Sequence, residues 1–173
     1  MVEAAVTRDI PRPAPRGPAP RLDAIDRRIL RALQRDASLT IAEVADEAGL
    51  SPTPCWKRIQ RLEAAGIIRK RVALLDHEML GYGVTVFVSM QIGEHSEAEI
   101  RRFAEALRQM PEVLAFYRMA GDVDYLAVIV VRDMAEYDEV YRRIIAAGNL
   151  KNVVSRFALE RLKSETAIPV IQP

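Results

Sequence analysis

The 173-residue sequence predicts an α+β protein with two successive parts. Apolar residues recur at helical spacing up to about residue 66, whereas after residue 83 stretches of strand-like alternation are mixed with helical ones. Between them, residues 51–71 hold six Lys or Arg residues opposed by Glu63 alone. These three observations predict a cationic helical part followed by a mixed part of strands and helices.

The net charge of +1 conceals an uneven distribution of charge. Residues 22–75 carry ten basic and seven acidic residues, whereas residues 76–173 carry eleven basic and fifteen acidic residues. This arrangement is expected when one part of a protein meets phosphate and the other does not.

Composition also restricts the class of protein. The apolar share of 50% and the charged share of 28% are typical of soluble globular proteins. No apolar run is long enough to span a bilayer, and the N-terminus lacks the apolar centre of a signal peptide. We therefore expect a cytoplasmic protein.

Few residues in the sequence could carry catalysis or bind a metal. The single cysteine, Cys55, excludes an internal disulfide, and only His77 and His95 could join it as metal ligands. Neither histidine has an obvious partner acid or nucleophile. The sequence thus predicts no catalytic residue, no metal site and no cofactor.

The first 21 residues read as an arm without regular structure. Five prolines between Pro11 and Pro20 block both helix and sheet, which predicts a disordered or polyproline-like segment. Its arginines could touch a DNA backbone, although a solvated tail is the simpler interpretation.

Local end signals define the first two helices. The first is predicted from about Ala24 to Arg35, with Asp23 as its N-cap. The second starts at Thr40, where Glu43 completes a capping box, and ends at Gly49, which can adopt a left-handed conformation.

A third helix follows within three residues. Ser51 is its predicted N-cap, Pro52 occupies the first helical position, and Gly66 ends it. At 100° per residue one narrow stripe faces the core, formed by Cys55, Ile59 and Leu62. Cys55 is therefore interpreted as a small buried hydrophobe, and the alternative is a redox or ligand sensor.

Residues 67–75, IIRKRVALL, are rich in β-branched and apolar residues and predict a strand. Two helices joined by a tight turn, a cationic second helix and a basic strand together predict a winged helix-turn-helix over residues 22–75. Such a unit places its second helix in the major groove of DNA.

The DNA-binding candidates lie on the third helix and the following strand. Thr53, Lys57 and Arg61 are predicted to face the groove, where Arg can pair with guanine and Thr with a base edge or methyl group. The other candidates cap the helix or meet phosphate: Ser51, Arg58, Arg69, Lys70 and Arg71. The alternative is a solvated cationic helix face.

The C-terminal part alternates strands and helices. The predicted elements, after a linker at 76–82, are strand 84–92, helix 96–110, strands 113–120 and 124–131, helix 134–147 and strand 153–162. The order βαββαβ predicts a ferredoxin-like domain over residues 83–169 with a short tail at 170–173. Two helices cover only one face of such a sheet, so the other face is predicted to form a dimer.

Several separated segments, in this order, resemble the Lrp/AsnC (feast/famine) family of transcription regulators. They are LDAIDRRILRALQRD (22–36), LSPTPCWKRIQRLEAAGII (50–68), LLDHEMLGYG (74–83), MAGDVDYL (119–126) and the final strand leading into Lys163. The resemblance implies an N-terminal part that binds DNA. It also implies a C-terminal part that dimerises, assembles dimers into a tetramer or octamer, and binds an amino acid between dimers.

Four sequence segments are most similar to the cysteine-responsive branch of that family. They are PCWKRIQRLE, RVALLD, PEVLAFYRMAGDVDYL and, after it, SRFALE. The resemblance therefore makes L-cysteine the candidate effector.

The candidate effector site is the turn between the second and third strands of the C-terminal part. Glycine in a tight turn lets backbone groups approach a ligand closely, and a carboxylate can pair with an α-ammonium group. By themselves these residues also fit a hairpin turn with solvated acids, and the resemblance favours the ligand. The candidates are Met119, Ala120, Gly121, Asp122, Asp124 and Ser155.

Three functions compete on this basis. The first is an effector-responsive DNA-binding regulator of amino-acid metabolism. The second is an enzyme similar to the sirohaem decarboxylases, which would need suitably placed histidine and arginine. The third is a DNA-architectural protein without an effector.

Overall fold

The computed structural model describes residues 21–93 and 96–170. The predicted arm, apart from Arg21, and His95 lie outside these residues. Contacts divide these residues into two units: unit 1 comprises residues 21–73 and 165–170, and unit 2 comprises residues 74–93 and 96–164. Within the described ranges, no helix is both long and apolar enough to cross a bilayer.

Unit 1 contains three helices, α1 (Ala24–Arg35), α2 (Ile41–Ala48) and α3 (Pro52–Ala64). The predicted capping is confirmed for the first two. Asp23 and Thr40 each accept a hydrogen bond from the third residue of their helix, which completes a capping box in both cases. Short-range signals thus fix where these helices begin.

The predicted cap of α3 is only partly correct. Ser51 has the extended backbone of an N-cap residue, but its side chain makes no capping hydrogen bond. The third helical position is Pro54, which has no N–H to donate. The usual partner of a capping hydroxyl is therefore missing.

The core of unit 1 combines side chains from all three helices. Ile29 of α1, Val44 of α2, and Cys55 and Ile59 of α3 are essentially inaccessible to solvent. The predicted core stripe of α3 is confirmed, since Leu62 is buried with them.

The predicted strand at residues 67–75 does not form in the structure. Its composition favours extended backbone, but a strand also needs a hydrogen-bonded neighbour. The described part of unit 1 contains no strand that could pair with it.

The chain returns to unit 1 after residue 164, which differs from the predicted domain boundary at 169/170. The side-chain amide of Gln34 accepts from the backbone N–H of Ile168 (2.8 Å) and donates to its carbonyl (3.1 Å). Val170 packs against the unit 1 core. Pairing between residues this far apart in sequence has no local signal.

Unit 2 has the predicted order βαββαβ. Its elements are β1 (Val84–Ile92), α4 (Glu97–Arg108), β2 (Val113–Arg118), β3 (Tyr125–Val131), α5 (Met134–Ala147) and β4 (Leu150–Phe157). The strands form an antiparallel sheet in the order β2-β3-β1-β4. The ferredoxin-like fold is confirmed.

The last strand was predicted at 153–162 and is found at Leu150–Phe157. Its partner β1 decides both ends. Leu150 already pairs with Ile92, and Phe157 pairs with Val86, close to where β1 begins. Past Phe157 one further bond forms, from the N–H of Ala158 to the carbonyl of Thr85 (2.9 Å), and the next side chain, that of Leu159, is fully exposed.

The two faces of the sheet have different surroundings. Val86, Val88 and Met90 face the helices and pack with Phe103 of α4 and Ile144 of α5. On the opposite face, the strand register aligns Phe87 with Val128 of β3 and Arg156 of β4. We call this second layer of side chains the open sheet face.

Candidate nucleic-acid interface and effector site

A left-handed glycine sets the angle between α2 and α3. Gly49 has φ of 71°, and its N–H bonds to the carbonyl of Asp46 (3.0 Å) while the next N–H, of Leu50, bonds to that of Ala45 (2.8 Å). These bonds end α2 in a tight turn, and α3 begins three residues after Gly49. The turn is that of a helix-turn-helix.

The side of α3 opposite the core presents polar groups to solvent. Ser51, Thr53 and Lys57 are exposed, as the sequence predicts. Lys57 forms no ion pair with any residue in the described ranges. Its charge is therefore available to an external anion.

Arg58 and Arg61 are engaged within unit 1. The Arg58 Nη1 donates to Asp23 Oδ2 (2.6 Å) and Asp26 Oδ1 (2.8 Å), and the Arg61 Nη2 donates to Asp26 Oδ2 (2.5 Å). Two carboxylates thus balance two guanidinium groups, and we call these four residues the arginine–aspartate cluster. No local sequence signal predicts this cluster, because its carboxylates lie on α1 and just before it, far in sequence from the arginines of α3.

The ion pair between Asp23 and Arg58 shifts the pKa of both groups. The backbone N–H of Asp26 and then the guanidinium of Arg58 hold the pKa of Asp23 below its ordinary value of 3.8. The same contacts, first with Asp23 and then with Asp26, raise the pKa of Arg58. Both groups stay charged at neutral pH, so their ion pair is retained there.

The three basic residues after α3 also differ in whether they are engaged in an ion pair. Arg69 and Lys70 are exposed. Arg71 forms an ion pair with Glu63 at 3.2 Å. Arg69 and Lys70 are therefore the more available of the three predicted phosphate contacts.

Cys55 lies in the core of unit 1. Burial raises the pKa of its thiol, which keeps it protonated and unreactive. This placement favours the structural interpretation over a sensor.

The turn between β2 and β3 holds five of the six predicted effector residues. The N–H of Met119 bonds to the carbonyl of Asp124 at 2.8 Å and closes the turn. Gly121 has φ of 130°, which side chains rarely tolerate. The Gln91 amide of β1 donates to the carbonyl of Asp122 and ties the turn to the sheet.

The two carboxylates of the turn have different surroundings. Asp124 Oδ2 accepts the backbone N–H of Ile92 at 2.8 Å, so it holds the turn against β1. The Asp122 side chain is exposed and has no partner among the residues that the structure describes. Asp122 is therefore the carboxylate that a cationic group could pair with.

Ser155 is not brought together with the turn. It pairs with Val88 on the β4 side of β1, whereas the turn joins β2 to β3 on the other side. Its hydroxyl faces the helices and bonds to the phenol of Tyr137, whose pKa burial raises. This hydroxyl already has a partner inside unit 2.

Within the described ranges, no group of three His, Cys, Asp or Glu side chains could hold a metal ion. His77 is half-buried, with its Nδ1 2.7 Å from the carbonyl oxygen of Tyr82.

The helix-turn-helix of unit 1, with Lys57, Arg69 and Lys70 exposed, defines the class of a DNA-binding protein. Residues 22–69 match a family model described as winged helix-turn-helix DNA-binding, and residues 85–168 match the Lrp/AsnC ligand binding domain. The chain belongs to the Lrp/AsnC family of transcription regulators.

Three related proteins illustrate the similarity. The DNA-binding transcriptional activator DecR of Escherichia coli K12 is 45% identical over 150 residues, which cover 86% of this chain and 99% of DecR. An AsnC family regulator from Agrobacterium tumefaciens is 50% identical, with a TM-score of 0.83 over 86% of this chain and 97% of that one. A Neisseria meningitidis regulator solved in complex with L-Met is 33% identical, with a TM-score of 0.82 and the same coverage.

These matches show a DNA-binding transcription regulator and not an enzyme. The decarboxylase-like alternative is therefore rejected.

Proposed function

We propose that the chain is a cytoplasmic regulator of amino-acid metabolism genes whose DNA binding responds to a small amino acid. The observation that carries the proposal is the exposed side of α3, where Thr53 and Lys57 lie opposite the buried Cys55, Ile59 and Leu62. A helix held by its apolar side, with uncommitted polar groups on the other, fits the major groove.

The DNA contacts divide into reading and positioning. Thr53 and Lys57 meet base edges, with Arg61 beside them through the exposed part of its guanidinium. Ser51, Arg69 and Lys70 meet phosphate, which orients the protein without reading sequence. Arg71 reaches phosphate only when it leaves Glu63, and Arg58 serves the arginine–aspartate cluster first.

The open sheet face forms the dimer. Phe87, Tyr117 and Val154 are exposed on it although they are apolar. A second copy of this face would bury them in a self-complementary contact, as in isologous dimers. Dimers then assemble into a tetramer or octamer.

The effector binds at the β2–β3 turn, between dimers. Asp122 pairs with its α-ammonium group, and backbone groups of Met119, Ala120 and Gly121 approach it closely. Asp124 fixes the turn. Ser155 contributes only if its hydroxyl leaves Tyr137, so it is the weakest member of the predicted site.

L-Cysteine is the proposed effector, by the resemblance to the cysteine-responsive branch. L-Methionine is the principal competitor, because the Neisseria meningitidis regulator was solved with L-Met. Both are small sulfur-containing amino acids with the same α-ammonium group.

Thermal-shift screening of the full chain against the twenty amino acids tests the effector. A ligand at 100 times its dissociation constant stabilises by about 2.7 kcal/mol, so the true effector should raise the unfolding temperature clearly. Asp122→Asn should abolish that shift, and Glu139→Gln, an exposed acid of α5, should not. A shift from L-cysteine that Asp122→Asn leaves intact would contradict the site, and the absence of any shift would favour the architectural alternative.

A further inference from the structure

A buried carboxylate joins α1 to the DNA-facing helix. The Asp26 side chain is 1% exposed, and its Oδ1 and Oδ2 accept hydrogen bonds from Arg58 and Arg61 respectively. Oδ2 also accepts the backbone N–H of Asp23 at 3.2 Å. A buried charge is costly unless it is paired and hydrogen-bonded. Asp26 therefore restrains both arginine side chains.

The two arginines differ in what these contacts leave free. The Arg58 side chain is 26% exposed, and its Nη1 is shared by two carboxylates. The Arg61 side chain is 58% exposed and uses Nη2 for Asp26. A guanidinium group has five N–H donors, so Arg61 keeps most of them for another acceptor.

Arg61 also lies beside the proposed reading residues. It follows Lys57 by four positions, which places the two side chains on neighbouring parts of the α3 surface. Arg58, by contrast, lies nearer the core stripe and points its charge at the start of α1.

We propose that Asp26 is a positioning residue for DNA reading, which holds the Arg61 guanidinium in one orientation beside Lys57. A free arginine loses much rotamer freedom when it pairs with a base, and a restrained one loses less. The restraint favours the base pair whose acceptors match that orientation. This proposal rests on the proposed function, because it requires α3 to lie in the groove.

Asp26→Asn tests the proposal with two duplexes, one enriched from a random pool by the wild-type chain and one of scrambled sequence. Specificity is measured as the dissociation constant for the scrambled duplex divided by that for the selected duplex. This ratio should fall about tenfold, which is the scale of one bidentate base contact. Affinity for the scrambled duplex should hold or rise, because a negative charge near the cationic helix is lost. Damage to the fold alone would instead weaken both duplexes together.

Asp46→Asn is the matched control. Asp46 is exposed on α2, and its replacement removes the same charge. The ratio should stay at the wild-type value. A folded Asp26→Asn variant that keeps the wild-type ratio overturns the proposal.

Arg61→Lys keeps the test decisive if Asp26→Asn does not fold. Lysine preserves the charge but loses the planar fork, so the ratio should fall about tenfold while the salt dependence stays unchanged. An unchanged ratio overturns the proposal. A wild-type chain that binds neither duplex at low ionic strength contradicts the proposed function itself, which separates the two failures.

Discussion

The two units of the chain differ in how completely they bury their apolar residues. Unit 1 packs three helices around one core, and even the returning C-terminal segment adds Val170 to it. Unit 2 covers one sheet face with α4 and α5 and leaves apolar side chains such as Phe87 exposed on the other. A covered core needs no partner, whereas a half-covered sheet does. We therefore expect assembly to depend on unit 2 and DNA contact on unit 1.

A charge on the open sheet face should have the largest effect, because it would oppose the assembly that we assign to unit 2. Phe87→Asp should weaken the dimer about thirtyfold or more, because a central aromatic contact is worth about 2 kcal/mol and the new carboxylate would be buried. Sedimentation equilibrium measures the change.

Ile145→Asp is the control for that variant. Ile145 is 41% exposed on α5, close to the 40% of Phe87, but lies in the helix layer. It should leave the dimer intact. Equal association by wild type and Phe87→Asp would assign the interface elsewhere.

Removing residues 165–173 tests how much the returning C-terminal segment stabilises unit 1. The loss of the two Gln34–Ile168 hydrogen bonds and of Val170 packing should lower the free energy of unfolding by about 1–3 kcal/mol. Urea denaturation measures it. Gln34→Ala, which removes the hydrogen bonds alone, should show about 1 kcal/mol. A truncated chain as stable as the full chain would mean that the segment contributes nothing to unit 1.

Lys70→Ala should weaken binding to all duplexes alike. One phosphate contact fewer should lower the slope of log affinity against log salt by about 0.9. Lys151→Ala, on the exposed side of β4, removes the same charge from unit 2 and should leave the slope unchanged. If both variants showed the same slope of log affinity against log salt, Lys70 would not contact phosphate.

Mild acid should act on the helix starts of unit 1. Hydrogen bonds from the backbone N–H groups of Asp26 and Thr40 hold the pKa values of Asp23 and Glu43 below 3.8 and 4.5 respectively. A lowered folded-state pKa contributes stability that is complete above the unfolded value and is lost as pH falls through the folded one. The unfolding temperature should therefore begin to fall below about pH 4.

Glu43→Gln should make that acid dependence slightly shallower, as followed by circular dichroism during heating. Glu139→Gln, away from any helix start, should not. An equally steep dependence in Glu43→Gln would show that the cap contributes no pH-linked stability.

Local signals explain why much of the fold was predictable. The bounds of α1 and α5 and of β1 agree with the predictions, because caps, glycines and alternation act within a few residues. The predictions of a strand at 67–75 and of the ends of β4 were wrong for a common reason. Composition indicates extended backbone, but only a neighbouring strand decides whether and where a strand forms.

The candidate sites show the same limit. The exposure of Thr53 and Lys57 follows from helical periodicity and was predictable. The engagement of Arg58 and Arg61 by Asp26 depends on contacts more than thirty positions apart in sequence. Ser155 was assigned to the effector site by resemblance, and only the register with Val88 shows that it faces the helices.

The placement of α3 in the major groove is tested by the binding of a labelled, wild-type-selected duplex at low ionic strength, followed by fluorescence anisotropy. The comparison is between the full chain and a Thr53→Ala/Lys57→Ala variant with the same fold and sedimentation. We expect tight binding by the wild type and a loss of about tenfold or more in the variant. No binding by the wild type, or equal binding by both, would contradict the placement of α3 in the groove.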